Sequence, residues 1–287
     1  MISRFKIPKE LYPILKNRNK LLSQLNEKDI ESVRMGIQSM RGKRDELPQI
    51  TVAIIAYNEE KNLFAALQSI AHQKVKFPVE VIVVDNNSSD NTALLAQKCG
   101  AKVVKENNQG IAFARQRALI EAAGEYYACC DADTIYPSNW LSSIIHPLAT
   151  NQKVSVTYSL HSLIDENENY SFGFYAYQYA KLAFVYLQSI KRGQINCGGA
   201  SMAYRIQQAR DIGGFNTQLK RGSDGFIALK LSTAGSVSMV ADRKALIYTS
   251  NRRTLNDGTL WNAFFIRLKY GMRHLFSFLT TQKIPSS

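Results

Sequence analysis

Short apolar runs rich in β-branched residues alternate with helix-forming segments between residues 50 and 130. A continuous apolar run of strand length is typical of a strand buried on both faces, and such strands belong to parallel sheets covered by helices. The predicted strands are residues 50–56, 79–84, 102–105 and 126–130, and the helices between them open at residues 58–60, 91 and 110. The pattern therefore predicts an α/β fold with a Rossmann-like, mostly parallel sheet flanked by helices.

Polar and acidic side chains directly follow each predicted strand. They occupy residues 57–60, 85–90, 107–110 and 131–133. The carboxyl ends of parallel strands meet at one edge of a sheet, and ligands of open α/β sheets bind in the crevice outside that edge. We therefore expect these residues to line a binding site.

Two carboxylates, Asp131 and Asp133, leave the fourth predicted strand with one residue between them. A turn at the strand end brings both side chains toward one divalent cation, directly or through water. Oxygen ligands that leave positions open for water suit Mg²⁺ or Mn²⁺ bound to a diphosphate. An Asp-x-Asp pair also occurs in capped turns, so it indicates a metal site only together with other motifs.

The formal net charge of +13 is carried mainly by the two ends of the chain. Residues 1–47 hold 11 basic and 6 acidic side chains, residues 250–287 hold 6 and 1, and the 202 residues between them hold 19 and 16. A nucleic-acid-binding protein needs a basic surface on its folded domain. The nearly neutral middle of the chain therefore argues against nucleic acid as a partner.

Other sequence features exclude further classes of protein. The four cysteines have no paired metal-ligand spacing and indicate reduced thiols. We find no N-terminal apolar core of signal-peptide length and no apolar stretch of about 18 residues, so we expect a cytoplasmic protein. A dinucleotide oxidoreductase is disfavoured, because residues 57–60 stand where its glycine-rich turn would follow the first strand.

The terminal segments are expected to form helices. Leucine and isoleucine spacing predicts a helical N-terminal extension over residues 1–47, and residues 251–287 are expected to form a basic amphipathic C-terminal helix. Between residues 259 and 280 a largely aromatic stripe covers an arc of about 120° with basic residues at its borders. A helix packed on its own domain shares this pattern with a helix lying on a bilayer. We expect the basic ends to tether the chain toward an anionic membrane surface, on its inner face, or toward the acceptor.

Four motifs, taken in order, resemble the inverting glycosyltransferases of family 2. They are residues 52–60 (VAIIAYNEE), 83–92 (VVDNNSSDNT), 110–115 (GIAFAR) and 124–133 (GEYYACCDAD). Each motif is weak alone, and the ordered set carries the resemblance, which extends over about residues 50 to 240. It implies a single GT-A domain over residues 48–250, with a nucleotide-binding half at residues 48–135 and an acceptor half at residues 136–250.

The resemblance implies roles for donor-binding residues. Tyr57 would stack on a uracil-like base, Asp85 would accept a hydrogen bond from the base, and Arg115 would meet a phosphate or the base. Asp131 would lie near the ribose or sugar, and Asp133 would be the principal ligand of Mn²⁺ or Mg²⁺, with Asp131 as the second metal-site carboxylate. Arg252 and Arg253 would close over the diphosphate. The implied set is Ala56, Tyr57, Asn58, Glu59, Asp85, Gly110, Arg115, Asp131, Ala132 and Arg253.

Structural alternatives stay open for several of these residues. Tyr57 also fits a strand-end tyrosine packed on the sheet, and Asp85 also fits a turn residue. The basic pair that ends in Arg253 also fits a solvated turn. A second aromatic segment, residues 172–190, is expected to cover the acceptor side of the crevice.

Asp224 stands where the family has its catalytic base. The family usually has Glu-Asp there, whereas Ser223 precedes Asp224 in this chain, so a plain helix cap is the alternative role. The resemblance implies transfer of a sugar, with inversion, from a nucleoside-diphosphate donor, expected to be a UDP-sugar, to a hydroxyl of a saccharide or glycolipid acceptor. Polysaccharide biosynthesis is the associated role. A noncatalytic nucleotide-sugar-binding or scaffold protein of the same fold is the alternative.

Overall fold

A central sheet forms from the apolar runs. The computed structural model describes residues 5–43, 46–165, 170–219, 221–252 and residue 262. The strands are β1 (Ile50–Ala56), β2 (Val79–Asp85), β3 (Lys102–Lys105), β4 (Tyr126–Asp131), β5 (Thr134–Ile135), β6 (Val154–Ser159), β7 (His161–Ile164), β8 (Met202–Arg205), β9 (Ser236–Val240) and β10 (Ile247–Ser250). The helices are α1 (Tyr12–Leu15), α2 (Glu27–Ser39), α3 (Glu60–Ala71), α4 (Thr92–Lys98), α5 (Ile111–Glu121), α6 (Trp140–Thr150), α7 (Phe172–Arg192), α8 (Ile206–Asp211) and α9 (Ser223–Leu231).

Seven strands of the described part of the chain form the main sheet, in the order β3-β2-β1-β4-β8-β6-β9. Strands β3, β2, β1 and β4 are parallel to one another, β6 is parallel to β9, and β8 is antiparallel to both of its neighbours. The prediction of a mostly parallel sheet is therefore confirmed. Strands β1, β2 and β3 lie side by side in chain order, and the next strand, β4, pairs with the opposite edge of β1. This reversal of strand order opens a crevice at the carboxyl ends of β1 and β4.

Helices cover both faces of the main sheet because its strands are apolar on both sides. Val52 and Ile54 of β1 pack with residues of α3 and α6 on one face. Ala53 packs on the opposite face with residues of α5 and α9. Burial of this apolar surface is the main favourable contribution to folding, and it fixes the strand ends that carry the polar loops.

Helix α2 of the N-terminal extension packs into the same core. Its side chains Ile30, Val33 and Ile37 are buried in the cluster that contains β1 and α3. Asn26 caps the helix, because its side chain accepts a hydrogen bond from the Asp29 N–H at 2.7 Å. The described part of this extension contains α1 and α2, and α2 is part of the layer that covers the sheet.

Strands β5, β10 and β7 form a small second sheet with β10 in the middle. Strand β10 runs antiparallel to β5 and parallel to β7. The N–H of Ser250 donates to the carbonyl of Asp133 at 3.3 Å, so β10 ends beside the turn after β4. The second sheet thereby brings the late part of the chain to the crevice of the first.

The aromatic segment at residues 172–190 lies within helix α7. Phe174 and Tyr177 are buried, whereas Phe172, Leu187 and Ile190 are exposed. The expected acceptor role of this helix stays a prediction. Among the described residues, we find no helix with the length and apolar character needed to span a bilayer. The predicted C-terminal helix falls almost entirely outside the described residues.

Candidate active site

A cavity of about 450 Å³ lies at the carboxyl ends of β1 and β4. The two strands are parallel neighbours, with Ile55 of β1 opposite Asp131 of β4. The lining residues come from the ends of these strands, the following loops, the start of α5 and the chain after β10: Ile55, Ala56, Tyr57, Asn58, Glu59, Asn86, Gln109, Gly110, Ile111, Ala114, Asp131, Ala132, Asp133 and Arg252. The cavity therefore lies at the edge of the sheet that the sequence predicts.

Most of the residues predicted for the site line this cavity. They are Ala56, Tyr57, Asn58, Glu59, Gly110, Asp131, Ala132 and Asp133. Asp85, Arg115 and Asp224 are not among the lining residues. Arg253 lies outside the described residues, and its neighbour Arg252 lines the cavity. The ligand-binding role of every one of these residues stays a prediction.

The loop after β1 is tied to the loop after β2. The N–H of Asn58 donates to Ser88 Oγ at 2.9 Å, and Asn58 Oδ1 accepts from the Ser89 N–H at 2.8 Å. Asn58 adopts a φ of +52°, which asparagine tolerates better than most residues. This arrangement leaves the Tyr57 side chain 48% exposed at the cavity, with a free aromatic surface for a planar group.

Asp85 and Asn86, at the end of β2, have different roles in the structure. Asp85 is buried, and its Oδ1 accepts from the Ser88 N–H at 3.3 Å, as in a turn. Asn86 Nδ2 donates to the carbonyl of Asn108 at 2.7 Å, and Asn86 Oδ1 accepts from the Gly110 N–H at 2.8 Å. Gly110 has a φ of +148°, a backbone conformation that is nearly exclusive to glycine. The hydrogen bonds of the Asn86 side chain therefore fix the turn before α5, which lines the cavity.

Asp133 lies in a polar and positively charged environment. Its carboxylate is buried, and Oδ1 accepts from the Thr134 hydroxyl at 3.4 Å and from the Thr249 hydroxyl at 3.5 Å. Arg252 Nη2 lies 3.7 Å from Asp133 Oδ2 and 2.5 Å from Glu59 Oε1. Side chains from the loops after β1, β4 and β10 therefore meet at this part of the cavity.

Asp131 and Asp133 offer carboxylate oxygens of the kind that could hold a divalent cation. Both line the cavity, and Asp133 already has the positive guanidinium of Arg252 near its Oδ2 atom. Mg²⁺ is commonly bound by one or two carboxylates together with water and substrate phosphates. The part of the chain that the structure describes contains no group of three or more His, Cys, Asp or Glu side chains that could hold a metal. The role of Asp131 and Asp133 as metal ligands stays a prediction.

A buried ion network lies behind the cavity. The side chain of Arg115 is fully buried, its Nη2 donates to Asp131 Oδ1 at 2.7 Å, and its Nε lies 3.4 Å from Asp224 Oδ1. Burial lowers the pKa of Arg115, but Asp224 and Asp131 together raise it more, so the pKa lies well above its usual value. The structure therefore places Arg115 against two carboxylates, where the sequence predicts a phosphate or the base.

Asp224 lies in the first turn of α9, and it does not cap that helix. The N-cap residue is Gly222, with a φ of +79°, and it makes no side-chain capping bond. Asp224 Oδ2 accepts from the Gly199 N–H at 3.0 Å. The Asp224 side chain is 18% exposed, so the carboxylate is largely enclosed by the protein.

Sequence reasoning missed several residues of the cavity. They are Ile55, Ile111 and Ala114. Asn86 and Gln109 belong to the polar segments that were expected to line a site at this edge, and no local signal distinguishes them from their polar neighbours. Ile111 and Ala114 lie in the first turns of α5, and their apolar character resembles that of core residues. Gly199 was also missed, and its contact with Asp224 spans residues far apart in the chain.

Sequence comparisons point to one family. The family model described as glycosyl transferase family 2 matches residues 51–212, more than half of the chain. A poly-β-1,6-N-acetyl-D-glucosamine synthase of Staphylococcus aureus is 35% identical over 101 residues, which are 32% of this chain and 23% of the synthase. The chain thus spans about a quarter of the length of this curated relative.

Solved structures share the fold. Staphylococcus aureus TarS (residues 1–349), in complex with UDP, has a TM-score of 0.56 at 21% identity over 70% of this chain and 60% of that one. Glucosyl-3-phosphoglycerate synthase from Mycobacterium tuberculosis, in complex with Mn²⁺, uridine-diphosphate-glucose and phosphoglyceric acid, has a TM-score of 0.53 at 19% identity over 82% of this chain and 80% of that one. The fold of the chain is therefore the GT-A fold that the sequence resemblance implies.

Proposed function

Because the chain belongs to glycosyl transferase family 2, we propose that it moves a sugar from a nucleoside-diphosphate donor to a hydroxyl group of a saccharide or lipid-linked acceptor. The observation that carries this proposal is the cavity in which Asp131 and Asp133 meet the loop after β1. Its volume of about 450 Å³ is in the range of sites for small molecules. The cavity combines apolar walls with a few polar groups, as sites that orient one ligand do.

UDP-sugars are the donor class that we propose. The exposed ring of Tyr57 offers a stacking surface for a planar base. Asp85 ends β2 directly opposite Ala56 in the sheet, so a base on Tyr57 would lie above both strand ends. TarS and the mycobacterial synthase, which share the fold, were solved with UDP and with uridine-diphosphate-glucose. These likenesses support uridine as the nucleoside.

Asp131 and Asp133 would hold Mn²⁺ or Mg²⁺ at the diphosphate. The cation, when bound, would neutralise the charge that develops on the leaving nucleoside diphosphate. Arg252, which lines the cavity beside Asp133, would contact the diphosphate through its guanidinium. Asp133 is positioned for this role by the two threonine hydroxyls that bond to Oδ1, which leave Oδ2 on the side of Arg252.

Asp224 is the proposed general base. It would take the proton of the acceptor hydroxyl while that oxygen attacks the anomeric carbon on the side opposite the diphosphate. A single displacement of this kind inverts the anomeric centre and needs no covalent nucleophile. The carboxylate of Asp224 is bonded to Gly199 and lies near Arg115, so it is held in place before the acceptor arrives.

Calorimetric titration of UDP tests the donor site. We expect wild type to bind UDP with Mn²⁺ and to lose at least about tenfold in affinity with EDTA, because the carboxylates alone repel a diphosphate. Asp133→Asn should lose at least about tenfold in the presence of Mn²⁺. Asp211→Asn is the matched control, since Asp211 is exposed on α8 and bonds to Gln207. Equal Mn²⁺-dependent affinity in wild type and Asp133→Asn would show that the metal assignment is wrong.

We further propose that the chain works in the cytoplasm, at the inner face of a membrane, through its basic ends. Residues 250–287 carry 6 basic side chains and 1 acidic one, a balance that attracts anionic lipid. We expect the full chain to sediment with anionic vesicles at low salt, and deletion of residues 259–287 to abolish most of that sedimentation. Vesicles of neutral lipid are the control. Undiminished sedimentation of the shortened chain would contradict the proposed tether.

A further inference from the structure

Arg115 lies behind the cavity, although its neighbour Ala114 lines it. The guanidinium donates to the carbonyl of Cys130 at 3.2 Å and to Asp131 Oδ1 at 2.7 Å. Its Nε lies 3.4 Å from Asp224 Oδ1. One fully buried cation therefore contacts both the end of β4 and the first turn of α9.

The two carboxylates belong to opposite sides of the proposed reaction. Asp131 is on the donor side, and Asp224 is the proposed base for the acceptor. A buried charge that loses a partner is strongly unfavourable, so the guanidinium and both carboxylates restrain one another. The distance between the donor side and the base is thereby coupled to the position of one arginine side chain.

The guanidinium of Arg115 occupies space that is available because residue 199 is a glycine. A Cβ added at Gly199 would lie 1.8 Å from Arg115 Nη2 and 2.8 Å from Asp224 Oδ2, both shorter than any normal carbon contact. The N–H of Gly199 also donates to Asp224 Oδ2 at 3.0 Å. A Cβ added at the neighbouring Gly198 would meet nothing within 4 Å. The chain therefore offers two adjacent glycines of which one packs against the ion network.

We propose that Arg115 is a positioning residue which, with the space provided by Gly199, fixes the carboxylate of Asp224 relative to that of Asp131. This inference rests on the proposed transferase function and deepens it. Arg115 contacts neither donor nor acceptor in this role, and it acts through the two carboxylates that it holds.

The surroundings of Asp224 fit this role. Tyr127 and Cys197 also interact electrostatically with this carboxylate, and burial raises the pKa of both groups above its usual value. They are therefore neutral at pH 7, and the guanidinium supplies positive charge beside Asp224.

Steady-state kinetics separates positioning from donor contact. Arg115→Lys keeps a positive charge but loses the planar guanidinium, whose nitrogens contact both Asp131 and Asp224. We expect kcat to fall by about 100-fold, while the donor KM and the UDP dissociation constant stay within about twofold. Arg117→Lys is the matched control, because Arg117 lies on the same helix, is 42% exposed and pairs with Glu121. A raised donor KM with unchanged kcat would overturn the proposal and make Arg115 a donor ligand.

The two glycines test the contact without any activity measurement. We expect Gly199→Ala to lower the midpoint of urea unfolding and Gly198→Ala to leave it unchanged. The double variant Gly199→Ala/Arg115→Lys should lose less free energy of unfolding than the sum of the losses in the two single variants. The reason is that lysine lacks the Nη2 and Cζ atoms that the new methyl group meets. Strictly additive losses in the free energy of unfolding would overturn the proposed contact.

Failure of this inference differs from failure of the proposed function. An active wild type with additive unfolding costs, or with the kinetic result of a donor ligand, would overturn the positioning role alone. A wild type that binds UDP but transfers no sugar from any nucleoside-diphosphate donor would contradict the proposed function, and the positioning role with it.

Discussion

Arg252 Nη2 lies 2.5 Å from Glu59 Oε1 and joins the end of β10 to the loop after β1 at the cavity. The same guanidinium nitrogen lies 3.7 Å from Asp133 Oδ2, so one arginine connects the small sheet to the ends of two strands of the main sheet. Its side chain is 46% exposed. A partly solvated cation at this position is able to change partners when a diphosphate enters the cavity.

Removal of this arginine should affect binding more than stability. For Arg252→Gln we expect UDP affinity to fall about tenfold, because one charge-assisted contact to the diphosphate is lost. The free energy of unfolding should fall by about 1 kcal/mol, because the arginine is 46% exposed and glutamine can still donate a hydrogen bond to the buried Glu59 carboxylate. Calorimetric titration of UDP and urea unfolding measure the two effects. Arg243→Gln, at an exposed site that bonds to the Lys6 carbonyl, should change neither value, and unchanged UDP affinity in Arg252→Gln would contradict the proposed contact.

Asn86 should be needed for the shape of the donor cavity. Asn86→Ala removes the amide bonds to the Asn108 carbonyl and the Gly110 N–H. We expect a loss of about 1–2 kcal/mol in the free energy of unfolding, since the hydrogen bonds of the buried Asn86 amide are lost, and a raised donor KM. Asn87→Gly is the control, because Asn87 has a φ of +65° that glycine adopts freely. An Asn86→Ala variant with wild-type stability would contradict this role of the amide.

The four cysteines should be unreactive in the folded protein. All four are buried, and burial raises the pKa of Cys99 and Cys129 to about 12. Because the thiolate is the reactive species, a raised pKa leaves almost none of it at pH 8. We expect a thiol reagent at pH 8 to label no cysteine in the native protein and all four in urea. Rapid native labelling of the adjacent pair Cys129 and Cys130 would contradict the burial of β4.

Helix α2 should stabilise the whole fold through its contact with α3. A Cβ added at Gly36 would lie 2.8 Å from Ala71 Cβ and 2.9 Å from the Ala71 carbonyl oxygen. Overpacking costs about 1–3 kcal/mol, against a gain of about 1 kcal/mol in helix propensity. We expect Gly36→Ala to lower the free energy of unfolding measured in urea. Gly173→Ala, where the nearest atom to the new carbon is Ser171 Oγ at 3.8 Å, should not lower it, and an unchanged or raised value for Gly36→Ala would contradict the close contact.

Local patterns in the sequence were enough to predict the four parallel strands β1 to β4 and the edge where the cavity lies, but not the strands that extend the main sheet beyond β4 or the second sheet. A run such as Ile50–Ala56 is recognisable as a buried strand from its own residues, and Asp131 and Asp133 follow such a run directly. The partners of Arg115 were not predictable in this way. Asp224 follows Arg115 by more than a hundred residues, and no spacing rule indicates that α9 begins beside α5. Contacts of that kind depend on how the helices pack on the finished sheet.

The same limit applies to Asn86 and Gly199. Asn86 is one of eight consecutive polar residues, and only the path of the next loop shows which of them faces the cavity. Gly199 is one of two adjacent glycines that are indistinguishable in the sequence. Their difference arises from the position of the Arg115 guanidinium.

The most direct test of glycosyl transfer compares wild type with Asp224→Asn in the presence of Mn²⁺ and a panel of nucleoside-diphosphate sugars. The measured quantities are the nucleoside diphosphate released on addition of a saccharide or glycolipid acceptor and the affinity for UDP. We expect wild type to transfer sugar with inversion, and Asp224→Asn to bind UDP with nearly wild-type affinity while transferring none. Wild type that binds UDP with Mn²⁺ but releases no nucleoside diphosphate from any donor would contradict catalysis and indicate a noncatalytic nucleotide-sugar-binding protein.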